Sequence, residues 1–407
     1  MPDSSLPPGG VSRDGNRAGN DHPGNHQPGD DPARNNQAPI LIGSEIYRGS
    51  TYGGKHPLAI PRVSTALDLI RAMGWLDEAR YRDSPLATPQ QLTRFHTADY
   101  VAALEAAERD GGVSDAVRER HHLGAHGNPI YREVFRRPAT GAGGAILAAA
   151  LVRDGGVVHV PGAGTHHAMP DRASGFCYLN DVALALFALV DAGLTRVLYV
   201  DIDAHHGDGV EHAFRDDPRV FTLSVHEAGR WPRTGLLDDR AGGYARNLPV
   251  PEGFNDTEMD WVLRHAILPV ARHFRPEAVV LQCGSDAVEE DPLARLSLSN
   301  NSHFAVVEAL RAVSPRLIVT GGGGYNPWTV ARCWAGVWAT LNRLPIPPRI
   351  PPAAEAVLRG LDWFRAAGRS PPEHWFSTIR DAPRPGPVRA EIRQICARTL
   401  DDLPPTS

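Results

Sequence analysis

Tyr199-Val-Asp-Ile-Asp-Ala-His-His-Gly-Asp-Gly209 begins where a short apolar run at 197–200, which reads as a buried strand, runs out. It sets Asp201, Asp203 and His205 two residues apart. Residues at i, i+2 and i+4 of a strand share a face. Strand alternation therefore predicts three metal-seeking side chains pointing one way at the strand's carboxyl end, where open α/β sheets bind their ligands. Two carboxylates and an imidazole suit a divalent metal, and the lack of thiolates argues against a Cys-rich structural zinc site. Taken alone, Asp-x-Asp at a strand end commonly caps the helix that follows, so the reading needs support from elsewhere in the chain.

Similar apolar runs occur at 157–160, 220–225, 278–282 and 317–320. Helical periodicity marks 63–73, 97–108, 141–152, 181–192, 259–274, 301–313 and 330–341. Short buried runs alternating with helices predict an α/β fold with a mostly parallel sheet covered on both faces. No repeat or linker interrupts residues 39–378, which read as one domain. Residues 1–38 are rich in Gly, Pro, Asn, Asp and His and read as a disordered tail. Residues 379–407 read as a Pro-rich tail with a short helix near 388–399.

Bulk properties exclude several classes. The chain has 407 residues, 42% of them hydrophobic, enough for a large core. It has no apolar run near the ~18 residues of a membrane span and no secretory signal pattern, which makes a cytoplasmic location the expectation. A net charge of −5 with mixed signs gives no footprint for nucleic acid. Cys177, Cys283, Cys333 and Cys396 form no short spacing, so neither a disulfide framework nor a thiolate metal site is expected.

Every apolar run leads into polar chemistry. Run 157–160 precedes a glycine-rich turn with the tandem His166-His167, candidates for proton transfer. Asp201 and Asp208 could orient them, since an imidazole bonded to a carboxylate keeps one tautomer and a more basic free nitrogen. Run 220–225 contains Ser224 and Val225 and leads to His226. Run 278–282 precedes Asp286, a candidate third metal ligand that, alone, equally suits a helix or turn cap. Run 317–320 precedes Gly321-Gly-Gly-Gly-Tyr325. Without the Lys-Ser/Thr of a phosphate loop, this segment presents a phenol able to donate to a developing oxyanion.

Gly164-Thr-His-His-Ala168, Gly175-Phe-Cys-Tyr-Leu-Asn-Asp181, Val200–Gly209, Gln282-Cys-Gly-Ser-Asp286 and Gly321–Asn326 together resemble the zinc-dependent histone deacetylase family, in its class I and bacterial acetoin-utilization style. They occur in the family's order over about residues 40–345. The resemblance implies an arginase-like three-layer α/β/α sandwich. It implies Zn2+ on Asp203, His205 and Asp286; Fe2+ could occupy the same donors, because metal choice depends on availability as well as ligand type. It implies catalytic roles for His166, His167, Asp201, Asp208 and Tyr325, and a substrate tunnel lined by Gly175, Phe176, Trp231 and Leu293. It also implies structural K+ at an inner site (Asp201, Asp203, His205, Ser224, Val225) and an outer one (Phe214, Asp217, Val220, Tyr244).

The chain departs from the family pattern at the tunnel rim. Gly127 stands where many family members carry an aspartate, Arg230 replaces an aromatic, and Arg233 replaces a glycine. The expected reaction is hydrolysis of an N-acyl amide on a lysine side chain of a protein or peptide, releasing acetate. Deacetylation of acetylpolyamines or other small acylated amines is the alternative within the same chemistry. A non-catalytic acyl-lysine binder is the alternative of another class, disfavoured because the metal ligands and Tyr325 are all retained. A dimanganese arginase-type hydrolase would need more carboxylates than the motifs supply.

Overall fold

The computed structural model describes residues 38–405. The expectation of disorder at 1–38 falls almost wholly outside them. Eight strands form one sheet: β1 (Ile40–Gly43), β2 (Tyr81–Asp83), β3 (Gly156–Val160), β4 (Val197–Asp201), β5 (Val220–Glu227), β6 (Ala245–Val250), β7 (Ala278–Gln282) and β8 (Arg316–Thr320). Their order is β2-β1-β3-β8-β7-β4-β5-β6, and every neighbouring pair is parallel.

Strand alternation builds the layers. Leu198 and Val200 of β4 join Leu281, Leu317 and Val319 in a core covered by helices Val63–Ala72, Asn300–Arg311 and Pro327–Leu341. Val197 and Tyr199 point the other way, into a second core with Val158, Val160, Val280 and Ile318 under helices Arg136–Leu151 and Asp181–Asp191. Burial of each such aliphatic side chain contributes roughly 1.5–3 kcal/mol. Because both faces are dry, these strands read as continuous apolar runs. The result is the helix-sheet-helix sandwich expected from the sequence.

Residues 379–405, read from sequence as a tail, pack on this body. Ile379, Ile392, Ile395 and Cys396 lie in the first core, the last three on helix Ala390–Thr399. Arg332 and Asp381 form a buried ion pair at 2.5 Å. Arg246 of β6 donates to the carbonyl of Thr399 (2.8 Å), one the helix end leaves open, and to those of Asp401 (3.1 Å) and Asp402 (3.0 Å) just beyond it. Among the described residues, no helix is long and apolar enough to cross a membrane, and all four cysteines are buried and free.

Candidate active site

The five apolar runs singled out in the sequence are the five contiguous central strands β3-β8-β7-β4-β5. Their carboxyl ends meet. The chain leaves β3 on one side of the β8–β7 pair and enters β4 on the other, so the ends open at a topological switch, the usual ligand crevice of such sheets.

Asp201, Asp203 and His205 do not share one strand face as alternation predicts. β4 ends at Asp201, and Asp203 and His205 occupy the bends that follow. Their geometry is set by side-chain-to-backbone turns: Asp203 N–H donates to Asp201 Oδ1 (3.0 Å) and His205 N–H to Asp203 Oδ1 (3.1 Å). These Asx-type turns bring the side chains together where alternation has ceased. Asp286, beyond β7, is fixed by the Ala204 N–H on its Oδ1 (3.0 Å).

Asp203, His205 and Asp286 are buried and offer donor atoms that all lie within 4.8 Å of one another. His205 Nδ1 is 2.9 Å from Asp286 Oδ2 and 3.3 Å from Asp203 Oδ1. A tetrahedral zinc with N/O ligands needs donors about 3.4 Å apart, from bond lengths of roughly 2.0–2.2 Å. Donor types and spacing therefore fit a single divalent ion. The electrostatics agree. Burial opposes a charge on His205, yet Asp203 and Asp286 raise its pKa to about 10. Burial likewise opposes the charge on Asp203, but His166 and His205 hold its carboxyl below the usual range. Burial and the neighbouring Asp203 push Asp286 up. The cluster draws positive charge.

Glycines let the backbone come close to this cluster. A Cβ at Gly323 would overlap Asp286 Oδ2 and lie 2.9 Å from Asp203 Oδ2. The bare Gly323 N–H instead donates to Asp203 Oδ2 at 2.6 Å. The same loop delivers Tyr325, which is buried and held by its N–H on Asp291 Oδ2 (2.6 Å). Burial, then Asp286 and Asp203, push its phenol well above the ordinary range, so it stays protonated.

The tandem histidines sit on separate carboxylates. His166 Nδ1 is 2.8 Å from Asp201 Oδ2, which also accepts from the Tyr199 hydroxyl (2.6 Å). His167 Nδ1 is 2.7 Å from Asp208 Oδ1. The two rings lie 3.9 Å apart. Burial works against protonation of both. Asp201 and Asp203 overcome it at His166 and raise its pKa to about 9, whereas burial and the adjacent His166 lower His167 to about 4. One imidazole is held charged and its neighbour neutral.

The expected tunnel residues surround this chemistry. Trp231 stands edge-on to His167 (4.7 Å) above Gly175, where a Cβ would collide with the indole. Phe176 is edge-on to Tyr325 (6.1 Å), and Phe176 and Leu293 pack on the same apolar cluster as Tyr325. Of the positions expected at the rim, Arg230 is paired with buried Glu227 (2.9 Å), while Gly127 and Arg233 are exposed. Of the positions assigned to potassium, Asp201 of β4 lies in register with Ser224 of β5, and Val225 follows it. Phe214, Asp217 and Val220 fall in successive turns (Asp217 N–H to Phe214 O, 3.0 Å; Val220 N–H to Asp217 O, 3.2 Å). The Tyr244 carbonyl accepts from Thr222 N–H (2.9 Å).

Sequence reasoning missed several supports. Asn180 Nδ2 donates to the carbonyls of His166 (3.2 Å) and Ala168 (3.1 Å), and its Oδ1 caps the next helix through Ala183 N–H (2.9 Å). Asp181 Oδ1 accepts from the N–H groups of Gly164 (2.8 Å) and Thr165 (3.0 Å). Both lie inside the quoted Gly175–Asp181 motif, and an Asn-Asp opening an apolar helix was the available signal. Arg62 donates to Gly322 O (2.7 Å) behind the glycine loop, a contact 260 residues apart with no local signal.

The family model described as histone deacetylase domain matches residues 56–341. The chain therefore belongs to the histone deacetylase family, hydrolases of acyl amides. It is 32% identical to the acetoin utilization protein AcuC of Bacillus subtilis over 375 residues, covering 89% of this chain and 95% of that protein. It is 34% identical to histone deacetylase 1 of Homo sapiens over 307 residues, 74% of this chain and 64% of the human one. The crystal structure of an HDAC homolog from Aquifex aeolicus superposes with a TM-score of 0.85 at 34% identity, covering 89% of this chain and all of that one. An HDAC homolog complexed with SAHA matches equally.

Proposed function

We propose that this chain hydrolyses the N-acyl amide of a lysine side chain in a protein or peptide, releasing acetate and free amine. The observation that carries the reading is the pairing of two carboxylate-bound histidines with an Asp-His-Asp donor cluster at one crevice. Asp203, His205 and Asp286 would hold Zn2+, or Fe2+ in its place. When bound there, such an ion supplies a Lewis acid that polarises a carbonyl and makes water acidic. The residues Asp201, Ser224 and Val225 with Asp203 and His205, and Phe214, Asp217, Val220 and Tyr244, would hold structural K+. Potassium beside Asp201 and Asp203 is supported by the excess of buried carboxylates there.

His167 has committed Nδ1 to Asp208 and keeps Nε2 free, and its lowered pKa leaves it neutral near pH 7. It is the general base that takes a proton from water and afterwards delivers it to the leaving amine. His166, charged and held by Asp201, offsets negative charge that develops beside it. Tyr325, a phenol that does not ionise, donates to the oxyanion. Trp231, Gly175, Phe176 and Leu293 exclude water and enclose an apolar stem.

Small acylated amines form the second reading. It is favoured by the Arg230–Glu227 pair, which neutralises a rim cation that would repel a polyamine. The test is turnover of an acetyl-lysine peptide and of acetylated putrescine side by side, with Asp203→Ala as blank. Faster peptide turnover is expected. Turnover confined to the small amine moves the function to metabolite amides, and turnover of neither, with zinc bound, overturns acetyl hydrolysis.

A further inference from the structure

Phe176 stands at φ 66°, a left-handed backbone that bulky residues rarely adopt. Such strain persists only where surroundings hold it, and it gathers at functional sites. Here the surroundings are specific. The Phe176 N–H donates to Asn128 Oδ1 (3.0 Å), and the Tyr52 hydroxyl donates to the Phe176 carbonyl (3.1 Å). Both polar ties come from buried side chains. His56 meets the phenyl ring edge-on, 4.6 Å between centroids. The same imidazole stacks on Tyr52 (4.9 Å), and its Nε2 lies 3.0 Å from the Gly127 carbonyl oxygen. Gly127 itself sits at φ 81°, and a Cβ there would come within 2.8 Å of the phenyl ring. The ring therefore leans into space that only a glycine leaves open.

We infer that Tyr52, His56, Gly127 and Asn128 form a seat that fixes the Phe176 ring and so sets which acylated stem the crevice accepts. They are positioning residues that act on specificity through Phe176. The inference rests on the acyl-amide reading above. The ring is edge-on to Tyr325 in the apolar cluster on which Leu293 also packs, so its placement decides the width left beside the phenol. A fixed aromatic wall selects a slim, unbranched, uncharged methylene stem. A loose wall also admits branched stems and binds the slim one less well, because the ordering of the ring is then left to the substrate.

The seat is tested with Tyr52→Phe and Asn128→Ala, each removing one tie. Acetyl-lysine peptide and an analogue carrying one methyl branch on the side-chain stem are compared. KM for the preferred stem is expected to rise about fivefold, the size of one neutral hydrogen bond. kcat should fall less than KM rises, and the preference between stems should shrink. In parallel, 4-fluorophenylalanine is placed at position 176 and its 19F resonance recorded. It should shift and broaden in both variants. KM, stem preference and 19F resonance that all match the parent in both variants would overturn the inference. Should the parent cleave neither substrate, the acyl-amide reading fails, but the 19F spectrum still decides the seat: a moved resonance supports it and an unmoved one overturns it.

Discussion

Asp208→Asn replaces a carboxylate by an amide of the same shape, so what it changes is electronic. Asp208 Oδ1 lies 2.7 Å from His167 Nδ1, with side chains 11% and 6% exposed. A hydrogen bond to a charged group contributes ~1.5–3 kcal/mol, which corresponds to roughly 10- to 150-fold in rate. The amide can also turn its NH2 toward Nδ1. That places the imidazole proton on Nε2, the atom that has to accept one. Burial and the charge of His166 lower His167, and Asp208 works against them. Without Asp208 the imidazole becomes a weaker base still. The acid limb of kcat/KM therefore moves to lower pH while the plateau drops. The assay is steady-state hydrolysis of an acetyl-lysine peptide across pH, with zinc content measured on the same samples. Zinc should be unchanged, since Asp208 is not one of the three clustered donors. A variant within twofold of the parent, with the same acid limb, would refute the assignment of His167 as base.

Three further outcomes are expected. Tyr325→Phe should lower kcat by ~10²–10³, the loss of one oxyanion donor, with zinc content intact; full turnover removes the phenol from the mechanism. Gly323→Ala should cost metal, because its Cβ would overlap Asp286 Oδ2 and crowd Asp203 Oδ2; a chelator competition unchanged from the parent contradicts this. Burial holds His96 and His159 neutral, each lowered to about 4. Their folded values lie below the unfolded ~6.5, so their contribution is complete above that pH and is lost as pH falls toward 4, by roughly 3 kcal/mol each. The urea midpoint should fall steeply between about pH 7 and about pH 4.5, and a flat profile would show that these imidazoles are not buried neutral.

The central strands were legible because burial on both faces writes them as unbroken aliphatic runs, and each ends in a different reactive side chain. The flanking strands were not. β2 is three residues with mostly exposed side chains. β6 reads Ala-Arg-Asn-Leu-Pro-Val, and its buried Arg246 draws three of its carbonyl partners, Thr399, Asp401 and Asp402, from the far end of the chain. The Asp-His-Asp cluster was legible by residue type, but the cause of its convergence was not: alternation stops at Asp201, and Asx-type turns take over. The supports of Phe176 were illegible for the same reason as Arg62. Tyr52 is 124 residues away and Asn128 is 48, and nothing local marks either as a partner.

Zinc content and acetyl-lysine turnover, measured on one preparation before chelation, after it and after zinc is restored, test the proposed metal centre most directly. Activity should vanish with the metal, return with it in proportion to occupancy, and stay absent in Asp203→Ala. Hydrolysis that persists in metal-free protein, or in Asp203→Ala, would contradict the claim that Asp203, His205 and Asp286 form the reacting centre.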